Sequence, residues 1–343
     1  PLRLVGSEMC IRDRSYSDQL FRDLDRLYLT YTRINKSPLG SGPVGGSTIP
    51  IDRERTAMLL GFDGLVTNSL DATSSRDTIV ELMSALSILM ITLSRIAEDL
   101  IIWSTQEFDY VELADTCASS SSAMPQKKNP DPLELLRSRT TIVVGNLITS
   151  FALLKALPSG YSRDLQDLKL VFLNSLSIVS SCLTITDIVI GSLIIHKDRM
   201  KDAVINSYAN SIDIAEQLVM QKGLVFRTAH KIVGSLVELA LSKNNASLSS
   251  LSVNEIEAVI KRTSVPLKAK DLMEILEQMT PEKVILLRSS IGSSNPDEQK
   301  KVIESSKIRV QEYSDDIRKR KMLLNNALHN LKQVVISYTN KNS

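Results

Sequence analysis

Apolar residues recur at three- and four-residue spacing along most of the chain, and this periodicity is the feature that most limits the fold. The clearest stretch, 75–106, carries one wide apolar stripe, made of Ile79, Leu82, Met83, Leu86, Leu89, Met90, Leu93, Ile96, Ala97 and Leu100. Such spacing places the stripe on one side of an α-helix. Runs that alternate at period two between turn residues, the signal of β-strands, are nearly absent. The pattern therefore predicts an all-α protein.

The organisation of the helices predicts two parts. Three further long helices are predicted, at 15–35, 131–156 and 166–196. After Asp198 the composition becomes more charged and the periodic segments shorten, which predicts a long-helix bundle over 15–197 and a smaller helical C-terminal subdomain over 198–343. The last helix, at about 296–338, is amphipathic and strongly charged, so we expect it to cover the bundle rather than form its centre.

The stretch 170–195 is apolar enough to resemble a membrane span, because Asp187 is its only charged residue. Asn, Ser and Thr residues dilute its hydrophobicity below that of most lipid-facing helices, and a helix that is apolar on nearly every side is also typical of the centre of a large bundle. The composition favours the buried helix, with the membrane span as the alternative.

Charge balance and cysteine content limit the classes of function. The 41 basic and 39 acidic residues nearly cancel, and the Lys/Arg residues are not interleaved with aromatic ones, so neither DNA nor RNA binding is indicated. The cysteines, Cys10, Cys117 and Cys182, are three in number and irregularly spaced, which fits neither a disulfide framework nor a metal site. Reduced thiols are typical of the cytoplasm, which is the predicted location.

The first residues, PLRLVGSEMCIRDR, begin with Pro and show neither helical nor strand periodicity. They also lack the apolar segment of a signal peptide. We therefore expect 1–14 to be a non-native segment outside the fold, and the native start of the protein to be missing.

Three polar breaks separate the apolar segments, and the third, LPSGYSRD at 157–164, joins two long apolar helices. The stretch 37–50, SPLGSGPVGGSTIP, is too rich in Gly and Pro to be helical and is predicted to be a long loop. The stretch 115–132, DTCASSSSAMPQKKNPDP, ends at a predicted helix N-terminus, where backbone N–H groups and the helix dipole favour an anion. Its hydroxyls, lysines and amide suit a carboxylate substrate; a flexible linker with solvated lysines is the alternative.

The sequence SSSSAMPQKKNP resembles the loop signature of the fumarase/aspartase superfamily, G-S-x-x-M-x-x-K-x-N. The matching positions are Ser120, Ser121, Met124, Lys127 and Asn129. Ser120 stands where the signature has Gly, which limits positive φ there. The resemblance implies that Ser121 is the catalytic base, Lys127 a catalytic cation and Asn129 a substrate-binding residue. Ser122 is expected to contact the substrate and is the next candidate for the base.

Within that superfamily, Gln126 and Lys128 in PQKKNPD resemble argininosuccinate lyases, whereas adenylosuccinate lyases tend to have PxKRNP and fumarases PGKVNP. Stretches such as LGSGPVGGSTIPIDRE and KGLVFRTAH resemble the same family in the same order over about 20–240. The resemblance implies elimination of argininosuccinate to arginine and fumarate. The base removes a proton next to a carboxylate, the cation stabilises the developing charge, and no metal or organic cofactor is needed.

Four further residues are candidates for substrate contacts. Tyr161, Gln166 and Lys169 stand where the family binds its substrate. Gln166 and Lys169 are three residues apart and would share a helix face; if this segment stood alone, a helix start with a solvated lysine would be the better explanation. Arg53, in IDRE, is either a cation of the site or one partner of a structural ion pair.

The family's general acid is a histidine in a T-H motif before the Gly-rich loop, and the sequence has no match for it. Its histidines, His196, His230 and His329, all follow that loop. Glu134 corresponds to the glutamate that orients the missing histidine. Family members are homotetramers whose active sites combine segments of three subunits. We therefore expect a homotetramer with shared sites, and no lyase activity from these 343 residues alone.

Two other functions stay open at the level of the sequence. One is a lyase that releases fumarate from another substrate, such as adenylosuccinate. The other is a non-catalytic helical protein of the crystallin type, because members of this family have been recruited as lens proteins.

Overall fold

The computed structural model describes residues 9–120, 124, 128–244, 247–263 and 265–341. Within these ranges it contains thirteen α-helices and only four strands, each of two residues, so the all-α prediction is confirmed. Contacts divide the chain into two compact units. Of the described residues, the long-helix unit comprises those within 16–194 and 307–341, and the C-terminal unit comprises those within 195–306 together with 9–15.

The helices of the long-helix unit have the following bounds: α1 Met9–Ile34, α2 Arg53–Leu59, α3 Ser69–Ser74, α4 Asp77–Trp103, α5 Asp131–Leu154 and α6 Asp167–Ser192. The strands are β1 Val111–Glu112, β2 Ser119–Ser120, β3 Lys128–Asn129 and β4 Ile194–Ile195. Helix α1 begins at Met9, inside the segment 1–14 that the sequence placed outside the fold. The absence of apolar periodicity therefore did not exclude a helix at 9–14.

Helices α4, α5 and α6 form an antiparallel core. The Oγ of Ser150, near the end of α5, lies 3.1 Å from the sulfur of Met83, near the start of α4. At the opposite end of both helices, Arg137 pairs with Glu98. Midway along α5, the amide of Asn146 donates to the Oγ of Ser175 in α6 at 3.0 Å. The fully buried side chains of this core include Met83, Met90, Leu93, Leu133, Leu136 and Leu168.

The two most apolar helices differ in burial. Both α4 and the segment 163–192, which contains α6, are long and apolar enough to cross a membrane by length and composition. Within one copy of the chain, 56% of the apolar window of α4 is buried, but only 28% of that of 163–192. The exposed apolar side chains of α6 include Leu170, Leu173, Leu183, Ile188 and Ile190. One copy thus provides only part of the burial that the sequence predicts for 170–195.

The C-terminal unit packs short helices around a second core. Its helices are α7 Lys197–Asn206, α8 Ser211–Lys222, α9 Phe226–Ser242, α10 Val253–Lys261, α11 Ala269–Gln278 and α12 Pro281–Leu287. Leu218, Leu236 and Leu272 lie at its centre with no exposed surface. The guanidinium of Arg288 donates to both carboxylate oxygens of the buried Asp213 at 3.0 Å, and so joins the start of α8 to the residue after α12.

The last helix, α13, spans Pro296–Lys341. From residue 307 onward it belongs to the long-helix unit, where Arg309 pairs with Asp25 at 2.6 Å and Arg320 donates to the hydroxyl of Tyr28 at 2.7 Å. These contacts place it against α1, on the surface of this unit. The domain bounds 15–197 and 198–343 stay predictions.

Candidate active site

Strands β2 and β3 carry the two ends of the loop signature. They pair antiparallel, with Ser119 opposite Asn129 and Ser120 opposite Lys128. Of the predicted catalytic and substrate-contacting residues of this loop, Ser121, Ser122 and Lys127 lie outside the residues that the structure describes. The strand pair therefore holds the two sides of the signature segment next to each other, directly before α5.

Lys128 connects the strand pair to the residues before it. Its ammonium lies 2.5 Å from a carboxylate oxygen of Glu112, in β1, and 2.5 Å from one of Asp115. Hydrogen bonds to Asp115 and Glu112 raise the pKa of Lys128 above its ordinary value, because both carboxylates favour the charged ammonium. The sequence identified this lysine only as a family marker. The sequence signal that could have predicted these contacts is the pair of acidic residues shortly before the loop, Glu112 and Asp115.

Asn129 and Glu134 lie at the start of α5. Asn129 is half-buried, and Glu134 is exposed in the first turn of the helix. Asp131 lies in the same turn. Two carboxylates at this position stabilise the positive end of the helix dipole, which a substrate anion would otherwise do.

Tyr161, Gln166 and Lys169 lie where α6 begins. The amide of Gln166 donates to the hydroxyl of Tyr161 at 2.6 Å. Gln166 ends the 3₁₀ turn Arg163–Gln166, and Lys169 follows in the first turn of α6. All three side chains are exposed. The structure therefore brings Tyr161 and Gln166 into contact and leaves them open to solvent beside Lys169.

Arg53, the first residue of α2, binds the Gly-rich loop. Its guanidinium donates to the carbonyl of Leu39 at 3.0 Å and to the carbonyl of Val66 at 2.9 Å. Gly40 has a φ of +77°, and a Cβ at this position would lie 3.0 Å from the Cγ of Arg53, so a side chain there would crowd this arginine. The sequence offered a site cation or an ion pair, whereas the contacts described here are with two backbone carbonyls. A role as a site cation stays a prediction.

The described candidates form two groups at opposite ends of α5. Asn129 and Glu134 lie at its start, and the segment with Tyr161 follows its end. The 24 residues of α5 span about 36 Å at 1.5 Å per residue. The end of α6 returns to the first group, because the hydroxyl of Ser192 lies 3.6 Å from the thiol of Cys117. One copy of the chain therefore keeps the two groups far apart.

We call the β2–β3 pair with Lys128, Asn129 and Glu134 the loop end, and Tyr161, Gln166 and Lys169 the far end. The Gly-rich loop, which Arg53 contacts at Leu39, follows α1, whose Arg33 pairs with Glu81 near the start of α4. Among the described residues, no group of three or more His, Cys, Asp or Glu side chains could hold a metal ion.

Two family models match the chain. A model described as "Lyase" matches residues 11–145, which include the strand pair and the start of α5. A model described as "Argininosuccinate lyase C-terminal" matches residues 208–285, within the C-terminal unit.

Curated relatives match nearly the whole chain. The argininosuccinate lyase of Nitrosopumilus maritimus is 45% identical over 322 residues, which are 94% of this chain and 65% of the relative. The argininosuccinate lyase of Bacillus mycoides is 41% identical over 85% of this chain and 61% of the relative. The chain thus spans less than two thirds of the length of these relatives.

Solved structures share the fold. An EDDS lyase in complex with formate superposes with a TM-score of 0.79 and 28% identity over 92% of this chain and 63% of that structure's chain. The class II fumarase from Schistosoma mansoni has a TM-score of 0.60 and 17% identity over 78% of this chain and 57% of its own, a likeness of fold alone. The long-helix bundle is therefore of the fumarase/aspartase type.

Proposed function

Because the chain belongs to the argininosuccinate lyase family of the fumarase/aspartase superfamily, we propose that it acts as a carbon–nitrogen lyase that converts argininosuccinate to arginine and fumarate. The observation that supports this most is the loop end: β2 and β3 hold the two sides of the signature segment together, directly before the core helix α5. A linker with solvated lysines would need neither the strand pair nor the ion pairs of Lys128.

In the proposed reaction, Ser121 removes a proton from the carbon next to a substrate carboxylate. The electrons of that C–H bond form the new double bond of fumarate, and the C–N bond breaks, so that the guanidino nitrogen leaves with its electron pair and takes up a proton. Lys127 stabilises the carboxylate that carries the developing negative charge, and Asn129 hydrogen-bonds to the substrate. A serine hydroxyl is a weak base in water, so its environment must exclude solvent and favour the alkoxide.

The far end supplies substrate recognition in this proposal. Lys169 provides a cation and Gln166 an amide, which suits a carboxylate group of the substrate remote from the reacting carbon. The hydrogen bond between Gln166 and Tyr161 fixes the orientation of both side chains before the substrate arrives. Binding energy gained far from the reacting bond can be used to orient the substrate at that bond.

The two ends can serve one substrate only if different copies of the chain supply them, because α5 separates them by a length greater than that of an amino-acid-sized molecule. The exposed apolar side chains of α6 favour such an assembly, since a stripe that includes Leu170, Leu173 and Leu183 is costly to leave in water. We therefore propose a homotetramer with shared sites, located in the cytoplasm.

The general acid is proposed to come from outside the residues that the chain contains, because none of His196, His230 and His329 matches the family's T-H motif. Glu134 would then orient a histidine that another polypeptide provides. The 343 residues by themselves are expected to release no fumarate.

A complementation experiment tests this proposal. The chain is co-refolded with a large excess of the full-length argininosuccinate lyase of Nitrosopumilus maritimus in which the serine of its own loop is changed to Ala, and fumarate release is followed by absorbance. We call this preparation the mixed assembly. Activity in the mixed assembly, and in neither component alone, is the expected result. An inactive mixture whose components demonstrably associate would contradict the proposal, and activity with adenylosuccinate but not argininosuccinate would change the substrate.

A further inference from the structure

We propose that Lys128 is a positioning residue of the lyase site: its ammonium, held by Glu112 and Asp115, fixes the base of the signature loop and directs Asn129 toward the substrate. This inference rests on the proposed function for its catalytic consequence, but the anchoring itself does not. It assigns the two neighbouring lysines of the signature different tasks, with Lys127 near the reacting carboxylate and Lys128 in a structural contact.

The first support for the proposal is the pair of ion pairs that Lys128 makes. Both carboxylates lie 2.5 Å from the same ammonium, and they come from β1 and from the 3₁₀ turn Asp115–Cys117. One lysine therefore ties three short elements together. A single exposed ion pair contributes little to stability; the side chain of Lys128 is 43% exposed, but its ammonium is shared by two acceptors. An ammonium with two carboxylates already bound is a weak ligand for a substrate carboxylate.

The second support is the register of β2 and β3, which sets the direction of Asn129. Successive residues of an extended strand point to opposite faces. Since the side chain of Lys128 points toward Glu112 and Asp115, the side chain of Asn129 points to the other face of β3. Its cross-strand partner is Ser119, so the register of the pair determines the position of Asn129 relative to β2. A slip of one residue would exchange the faces of Lys128 and Asn129.

The third support is the negative charge of Glu112 and Asp115, which the ammonium of Lys128 balances. Without the ammonium, Glu112 and Asp115 would face the space that it occupies, close to the base of a loop that must receive a polyanionic substrate. Like charges at this distance repel each other and the substrate. Loss of the cation is therefore expected to loosen the strand pair and to make the site less favourable for carboxylates.

Hydrogen exchange tests the anchoring without any assumption about the reaction. We expect peptides that contain β2 and β3 to exchange faster in Lys128→Met than in the unmodified chain, and Lys128→Arg to restore slow exchange. The double variant Glu112→Gln, Asp115→Asn removes the acceptors and should have the same effect with the lysine intact. Lys270→Met, in an exposed position of α11, removes the same charge elsewhere and should change nothing. Unchanged exchange in both Lys128→Met and the acceptor variant would overturn the proposal.

The mixed assembly tests the positioning. Lys128→Met in this chain should lower kcat by about 10- to 100-fold, as expected for a small misplacement of reacting groups, with a smaller rise in KM because Glu112 and Asp115 then repel the substrate carboxylates. Lys128→Arg should retain most of the activity. A rise in KM with kcat unchanged would show that Lys128 binds the substrate directly, and normal kcat with fast exchange would show a purely structural role; both results would overturn the proposal. If the mixed assembly made with the unmodified chain associates but gives no activity, the proposed function fails, and hydrogen exchange still decides the anchoring.

Discussion

The two ends of α5 carry different kinds of structure. At the loop end, a strand pair and a shared ion pair hold the backbone on both sides of the signature segment. At the far end, Tyr161 and Gln166 bond to each other and remain exposed with Lys169. The loop end is ordered by contacts within one chain, whereas the far end presents polar groups that face solvent in one chain.

This difference is consistent with the proposed division of tasks between catalysis and substrate recognition. In the proposed function, groups that perform chemistry must be held in a fixed geometry, and within one copy the strand pair and the ion pairs of Lys128 hold the backbone on both sides of the signature segment. Groups that recognise a remote part of the substrate can lie exposed on one copy, because the loop end of a neighbouring copy would complete the site on assembly. The exposed apolar side of α6, the helix that begins at the far end, is the surface on which we expect that neighbour to pack.

The largest effect is expected at the loop end. Ser121→Ala in this chain should reduce fumarate release by the mixed assembly to the background, because the proposed base is lost while a loop hydroxyl contributes little to packing. Circular dichroism and the mass of the assembly should stay unchanged. Retention of more than a few per cent of the rate would remove Ser121 as the base and make Ser122 the next candidate.

A somewhat smaller effect is expected for the cation of the loop. Lys127→Met should lower kcat by about 10²–10³-fold, since a charge beside the developing carboxylate acts mostly in the transition state. Steady-state kinetics of the mixed assembly measure it. If only KM rose, Lys127 would bind the substrate and the transition state equally, and the division of tasks between the two ends would lose its basis.

A change on the exposed face of α6 should affect assembly. Leu173→Glu places a carboxylate where we expect a neighbouring copy, and burial of that charge should weaken association by roughly tenfold or more. Leu241→Glu, in α9, is the matched control, because the two leucines are 49% and 52% exposed. Sedimentation velocity over a concentration series should show dissociation for the first variant alone. Equal masses for both variants would place the interface elsewhere.

The fold was readable from the sequence because long helices carry their own signal. The periods at 75–106, 131–156 and 166–196 predicted α4, α5 and α6 to within a few residues. The predicted start of the first helix, at residue 15, was wrong, because α1 begins at Met9. Residues 9–14 are helical although they lack apolar periodicity. The exposure of α6 was also not predictable, because an all-round apolar helix has the same composition whether its partner lies in the same chain or in another copy.

The site was only partly readable. Motif resemblance predicted both groups of residues, and the helix predicted at 131–156 already lay between them; the signature itself gives the order of residues and not their distances. The contacts of Arg53 with the carbonyls of Leu39 and Val66 were missed, since a lone arginine after a Gly-rich loop gives no sign of its acceptors. The roles of Ser121, Lys127, Glu134 and the far-end residues stay predictions.

The most direct test of the central claim, that one substrate uses the loop end and the far end of different copies, is Lys169→Met in this chain within the mixed assembly. Each site formed around the chain's Ser121 would take its far end from the excess full-length relative. The account predicts that Lys169→Met supports the same rate of fumarate release as the unmodified chain, whereas Ser121→Ala supports none. Loss of activity with Lys169→Met equal to the loss with Ser121→Ala would show that one copy supplies both ends, and would contradict the account.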